Sequence, residues 1–383
     1  MQIRDTAVDQ KVSLSIANWH AFNQGLPWLG SAEYPFFTDA WIVGELEVGP
    51  YFFLNTVAVP TKGAVKPGIV LRYAFHQAWE HPTYDATDAI LYHGGSPAEE
   101  LAALASLCLG VRFRSGRSTR RFEPGGNAKG QPEETGDQTV PYFKVADPPI
   151  VPIINSGKSI NEGLSLIPSL LTMPASQVNA LVRAARLYQD ALWLCESSPE
   201  MSWLLLVSAL ESLANEWNQT QGQPTERLAL SRPGLFSYLE SHSDKTLLLR
   251  IAEEFSDALG STQKFVKFCL AYMPDAPTKR PVSYAQFSWS RTSMRKALSK
   301  VYEYRSRALH DGRPFPAPMC SPPFAPLDCE APTETMAGLA THQRGATWLK
   351  EDVPFLLHIF EYISRATILN WWRSSARIET ANA

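Results

Sequence analysis

The chain has 383 residues, 45% of them hydrophobic, which excludes disorder throughout and leaves room for two domains or one large one. A formal net charge of −3 excludes a global basic excess, so any nucleic-acid surface has to come from local clustering. Five scattered cysteines, Cys108, Cys195, Cys269, Cys320 and Cys329, give no disulfide framework and point to a reducing compartment. The start of the chain lacks a basic region followed by an apolar run, and apolar runs such as Trp203 to Val207 are far too short to span a bilayer. A cytoplasmic protein without membrane contact is the expectation.

From Tyr34 to about Phe75, segments rich in Val, Ile, Phe and Tyr (AWIVGELEVG, YFFLNTVAV, GIVLRYAF) alternate with Gly and Pro, which is strand and turn grammar. Pro97 to Leu109 predicts a short helix that runs into VRFRSGRSTRRF. That stretch carries Arg112, Arg114, Arg117, Arg120 and Arg121 within ten residues. In a hairpin turning at Ser115-Gly116, these arginines would gather where a phosphate backbone could dock. They equally suit a solvated sheet edge guarded by charge. Glu123 to Thr139 is poor in apolar residues and reads as a linker, and the proline-dense stretch after it favours extended backbone.

From about Ile160 the periodicity turns helical. Ser176 is a candidate N-cap for a helix ended by Pro199, and PEMSWLLLVSALESLANEW is an apolar helix with a polar stripe of Ser208, Glu211, Ser212 and Asn215. Further helices are expected over Leu228 to Leu259, over KFVKFCLAYM, and from about Asp352 to Arg373. On the last of these His358, Glu361 and Arg365 share one side, as either a solvated face or an RNA-facing one. The proline-rich stretch from Arg313 to about Glu334 is too long for a simple connector. Cys320, Cys329 and His342 lack a compact C-x2-C pair, so neither metal nor cofactor is expected. The fold class expected is α+β: a β-rich N-terminal domain over 1–155, followed by an all-α domain over 156–383.

The stretch Lys296 to Gly312, KALSKVYEYRSRALHDG, predicts a helix with Arg305 and His310 near its end. From spacing alone this could be an exposed helix end with a capping histidine. The spacing also resembles the R-x4-6-H signature of HEPN domains, mostly helical proteins that include many metal-independent ribonucleases. Ala209-Leu210-Glu211-Ser212-Leu213, on a helix well upstream, is similar to the A-L-E-x-L pattern of the Apea-like HEPN branch. The resemblance covers about residues 176–373 and implies a helical-bundle domain acting as an endoribonuclease in prokaryotic anti-phage defence or toxin-like growth arrest. It further implies RNA, with tRNA among the candidates, as substrate, and a phage-derived trigger, with the N-terminal domain as sensor or RNA-positioning module. Active members often carry Asn, Asp or His directly after the motif arginine, where this chain has Ser306. Some HEPN domains are non-catalytic scaffolds binding RNA, a nucleotide or a partner protein.

Metal-independent RNA cleavage uses the ribose 2′-hydroxyl as nucleophile, so it needs a base, an acid and positive charge on the phosphorane. An imidazole such as His310 suits proton transfer, and Arg305 suits the phosphate. Glu211 is expected to orient one of them, with Ser306 and Asn215 in support; a polar Glu211/Asn215 pair serving loop backbone is the alternative. Positions five apart differ by about 140° around a straight helix, so Arg305 and His310 do not share a face. The helix end distorts, or a second copy completes the site; since HEPN domains pair their motif helices, the resemblance implies a homodimer.

Overall fold

The computed structural model describes residues 11–56, 64–77, 87, 89, 91–133, 138–152, 157–217, 223–242, 244–254, 261–324 and 331–377. The fold is mixed α and β: among the described residues there are eleven helices and a small antiparallel sheet near the N-terminus. The chain divides into two compact units, one of Met1–Ala209 with Ile368–Ala383, the other of Leu210–Thr367. These limits differ from the expected division after residue 155, a point that itself lies outside the described residues.

In the first unit, helix α1 (Leu14–Asn23) precedes strand β1 (Gly30–Thr38). Helix α1 buries the polar Ser15 and Asn18 beside Ile16 and Trp19, which hides the apolar periodicity that would announce it. Strands β2 (Ile42–Val43), β3 (Leu46–Val48), β4 (Tyr51–Asn55) and β5 (Lys66–Phe75) follow. The main sheet runs β3-β4-β5-β1 and continues through the arginine-rich segment, whose strands are β6 (Arg114–Ser115) and β7 (Arg120–Phe122), to β8 (Gln131–Pro132), a short strand inside the stretch expected as a linker.

The expected arginine hairpin does not form. Both β6 and β7 pair with β1: Phe37 opposes Arg114 and Phe36 opposes Ser115, while Ser31 to Glu33 oppose Phe122 to Arg120. They are one broken strand, and Pro35 explains the break. Its carbonyl accepts from Gly116 N at 2.7 Å, so the N–H it lacks would also have pointed at this neighbour. Residues 116–119 leave the ladder there, and pairing resumes beyond Thr119 N, which donates to Glu33 O at 2.8 Å.

Helix α2 (Pro97–Leu109) has a complete capping box, Ser96 with Glu99, and ends at Gly110 with φ +65°. Leu101 through Leu107 are all buried, as is Glu100, which accepts from Ser15 N, so α2 is enclosed on all sides within its unit. It packs against α4 (Ala175–Leu194), which follows the short β9 (Lys158–Ser159) and α3 (Ile160–Gly163). The α4 N-cap is Pro174 rather than the expected Ser176, and the helix ends before α5 (Pro199–Glu216) begins. The packing of α2 on α4 explains why residues beyond 156 belong with the sheet.

The second unit takes α5 from Leu210 and then α6 (Pro224–Ser231), α7 (Pro233–His242) and α8 (Lys245–Glu254), which share a small core of Leu228, Leu239 and Ala252. Helix α9 (Ser261–Ala271) packs against α10 (Arg291–His310), the motif helix. Ser290 caps α10 by accepting from Ser293 N. The unit is not all-α, because β10 (Ala340–Gln343) and β11 (Ala346–Leu349) form an antiparallel hairpin. Helix α11 (Leu357–Ser375) starts later than expected, after a short 3-10 turn at Lys350–Asp352.

The long proline-rich stretch before this hairpin ends on a buried carboxylate. Glu334, 1% exposed, accepts from Arg280 Nε at 2.8 Å and Nη2 at 2.7 Å, and from Phe287 N at 2.7 Å. A carboxylate so placed ties the loop to the 280s segment by charge-assisted bonds. No helix among the described residues is long and apolar enough to cross a membrane.

Candidate active site

The site is built on two helices of the second unit. The apolar run of α5 buries Leu210, Leu213 and Ala214, which leaves Glu211 half-buried at the margin of the core. On α10, Met294, Ala297, Leu298, Val301 and Tyr302 form the buried stripe, and Arg305, one turn beyond Tyr302, lies at its edge. The two margins meet. Arg305 Nη2 donates to Glu211 Oε2 at 2.8 Å across 94 positions of sequence, with side-chain exposures of 21% and 17%.

Tyr302 is the third member, which the sequence reading passed over. Its hydroxyl donates to Glu211 Oε1 at 2.7 Å, and the Arg305 guanidinium lies 5.5 Å from its ring centroid. Phe265 packs on the ring at 5.3 Å. Burial, and then the hydrogen bond to Glu211, push the phenol up to about 12, so at neutral pH it stays a donor. The available signal was its position three residues before Arg305 on the same face. Arg305 Nε is shielded from solvent with no acceptor among the described residues.

His310 stands apart. Helix α10 is regular through it, so it projects about 140° around the axis from Arg305, and the side chain is exposed. The helix closes just beyond, where Asp311 N and Arg313 N both donate to Arg307 O, at 2.9 and 3.2 Å, and Gly312 takes φ +64°. Arg307, the near neighbour of His310, is itself paired with Glu303. Of the expected supports, Ser306 is half-buried and Asn215 is exposed one turn beyond Glu211. The structure therefore joins Glu211 to Arg305 and leaves His310 open to solvent.

The arginine cluster separates into different roles. Arg112 is 4% exposed: it donates to Asp39 Oδ2 and to Leu192 O, each at 2.8 Å, and its guanidinium lies 4.2 Å from the Phe143 ring centroid. A side chain so enclosed holds the first unit together and is withdrawn from the expected phosphate contact. Arg114 reaches Asp190 at 2.6 Å, and Arg120 donates to Lys129 O at 2.7 Å. Arg121 pairs with Glu133 at 2.5 Å, and Arg117 is exposed. Neighbouring acids thus offset Arg114 and Arg121.

Cys329 lies outside the described residues, among which no group of three His, Cys, Asp or Glu side chains is placed to hold a metal ion. His358 does not join a polar face of α11: both ring nitrogens are shielded with no partner among the described residues, and burial lowers the imidazole to about 4. No family model matches the chain, and searches of the curated proteins and of the solved structures each found no match.

Proposed function

We propose that the chain is a metal-independent endoribonuclease of the HEPN type. Arg305 binds the scissile phosphate, His310 transfers a proton, and Glu211 holds Arg305 in place. The observation that carries this reading is the 2.8 Å pair of Glu211 with Arg305, because the two come from separate stretches of sequence that each resemble a motif of the same family. The angular separation of Arg305 and His310 is met by a homodimer in which each site draws its arginine and histidine from different chains. RNA, with tRNA among its forms, is the substrate class, and prokaryotic defence or growth arrest is the setting that the resemblance supplies. The β-rich part would sense the trigger or position the RNA.

The test is cleavage of a total tRNA mixture with EDTA present. Arg305→Ala is expected to lower the rate about 10²- to 10³-fold and His310→Ala about 10²- to 10⁴-fold. Intact RNA with the wild type, including after phage infection of expressing cells, would refute the reading. A non-catalytic scaffold is the second reading, favoured by Ser306 following the arginine and by the Arg305 charge already being matched by Glu211.

A further inference from the structure

We propose that Tyr302 is a positioning residue of this site and that Glu211 acts with it as a clamp on Arg305, without taking part in proton transfer. The inference rests on the reading of Arg305 as the phosphate-binding group. It starts from the two oxygens of one carboxylate. Glu211 Oε1 is taken by the Tyr302 hydroxyl at 2.7 Å and Oε2 by Arg305 Nη2 at 2.8 Å, so each oxygen already accepts a strong bond.

The two donors sit one turn apart on α10, and the clamp therefore fixes the carboxylate against a single rigid element. Tyr302 also touches Arg305 through its ring face, so one side chain bears on both members of the ion pair. Tyr302 is in turn held. Phe265, fully buried on α9, packs against its ring, and Ser261, the first residue of α9, hydrogen-bonds to its hydroxyl. A guanidinium on a long flexible stem loses less effective charge at the phosphate when its direction is set before the substrate arrives.

Two substitutions and two measurements separate the roles. Tyr302→Phe keeps the packing on Phe265 and removes only the hydroxyl. It should lower kcat for tRNA cleavage about tenfold and leave KM within about twofold of the wild type, since one bond that orients the arginine is lost. Glu211→Gln still accepts from Tyr302, and it should retain at least about a tenth of the wild-type kcat, whereas loss of a proton-transfer group costs about 10² to 10⁴. The second measurement does not need activity: phenylglyoxal modification of Arg305, followed by peptide mass spectrometry, should be severalfold faster in Tyr302→Phe than in the wild type. Unchanged kcat together with an unchanged modification rate would overturn the proposal, as would a Glu211→Gln enzyme as inactive as His310→Ala. If the wild type leaves tRNA intact, the nuclease reading falls, and the modification rates alone decide whether Tyr302 orders Arg305: equal rates overturn it.

Discussion

Arg112 and Arg117, five residues apart in one basic run, have opposite fates. Arg112 is enclosed by Asp39, the Leu192 carbonyl, the Cys195 sulfur and the Phe143 ring, while Arg117 faces solvent. Removing one partner of a buried ion pair strands the other, so Arg112→Ala should cost about 3 to 5 kcal/mol in urea unfolding. Arg117→Ala should stay within about 0.5 kcal/mol of the wild type. The sequence shows a charge cluster, but Asp39 and Cys195 stand 73 and 83 positions away, and no local pattern reports that closure. The pairing of Glu211 with Arg305 was expected on a different ground, the resemblance of its ALESL context to a pattern known elsewhere. Tyr302 was missed because an aromatic on the apolar stripe of a helix reads as packing, although its hydroxyl does more.

At the scale of elements, α11 carries a pH-dependent stability term. His358 as a residue is half-buried, but its ring nitrogens are fully shielded, and these set the titration. The folded imidazole titrates near about 4 against 6.5 for the free side chain, so between those values the unfolded chain binds the proton that the folded chain refuses. Stability is fully present above about pH 6.5 and falls as pH drops toward 4, by roughly 3 kcal/mol at most. Replacing His358 with Leu should flatten that part of the stability profile, measured by urea midpoints across the range. An equally steep profile in the variant would place the proton uptake elsewhere.

Element type was readable wherever one force dominated. Helices α2, α5 and α10 have caps or apolar stripes that decide them, and β4 and β5 have the aromatic and β-branched content of strands. Helix α1 was hidden by its buried polar residues, and the arginine hairpin was misread because a proline in the facing strand, distant in sequence, governs the ladder. Short strands such as β6, held by pairing alone, carry no pattern of their own.

At the scale of the whole molecule, the first compact unit takes chain from both sides of the second in sequence, and two helices cross the divisions: α5 runs from Pro199 through the one at Leu210, and α11 through the one at Ile368. A truncation at residue 156 therefore cuts away α4, against which α2 packs, and the fragment 1–155 is expected to be insoluble or unfolded by circular dichroism. Light scattering of the full chain at micromolar concentration should give twice the chain mass, and a monomer would remove the shared site proposed for Arg305 and His310.

The broken strand sets a reading frame for the sheet. Four residues, 116–119, stand opposite two, Tyr34 and Pro35, so the interruption adds an even number of positions. Side chains alternate faces with period two, so Arg114 and Arg120 stay on one side of the sheet despite the gap, and Arg121 stays on the other. Deleting two residues from 116–119 preserves that sidedness. Deleting one inverts every residue of β7, turning Arg121 to the face of Arg114 and carrying Arg120 away from Glu33, so tolerance of deletions in this loop should alternate with their parity.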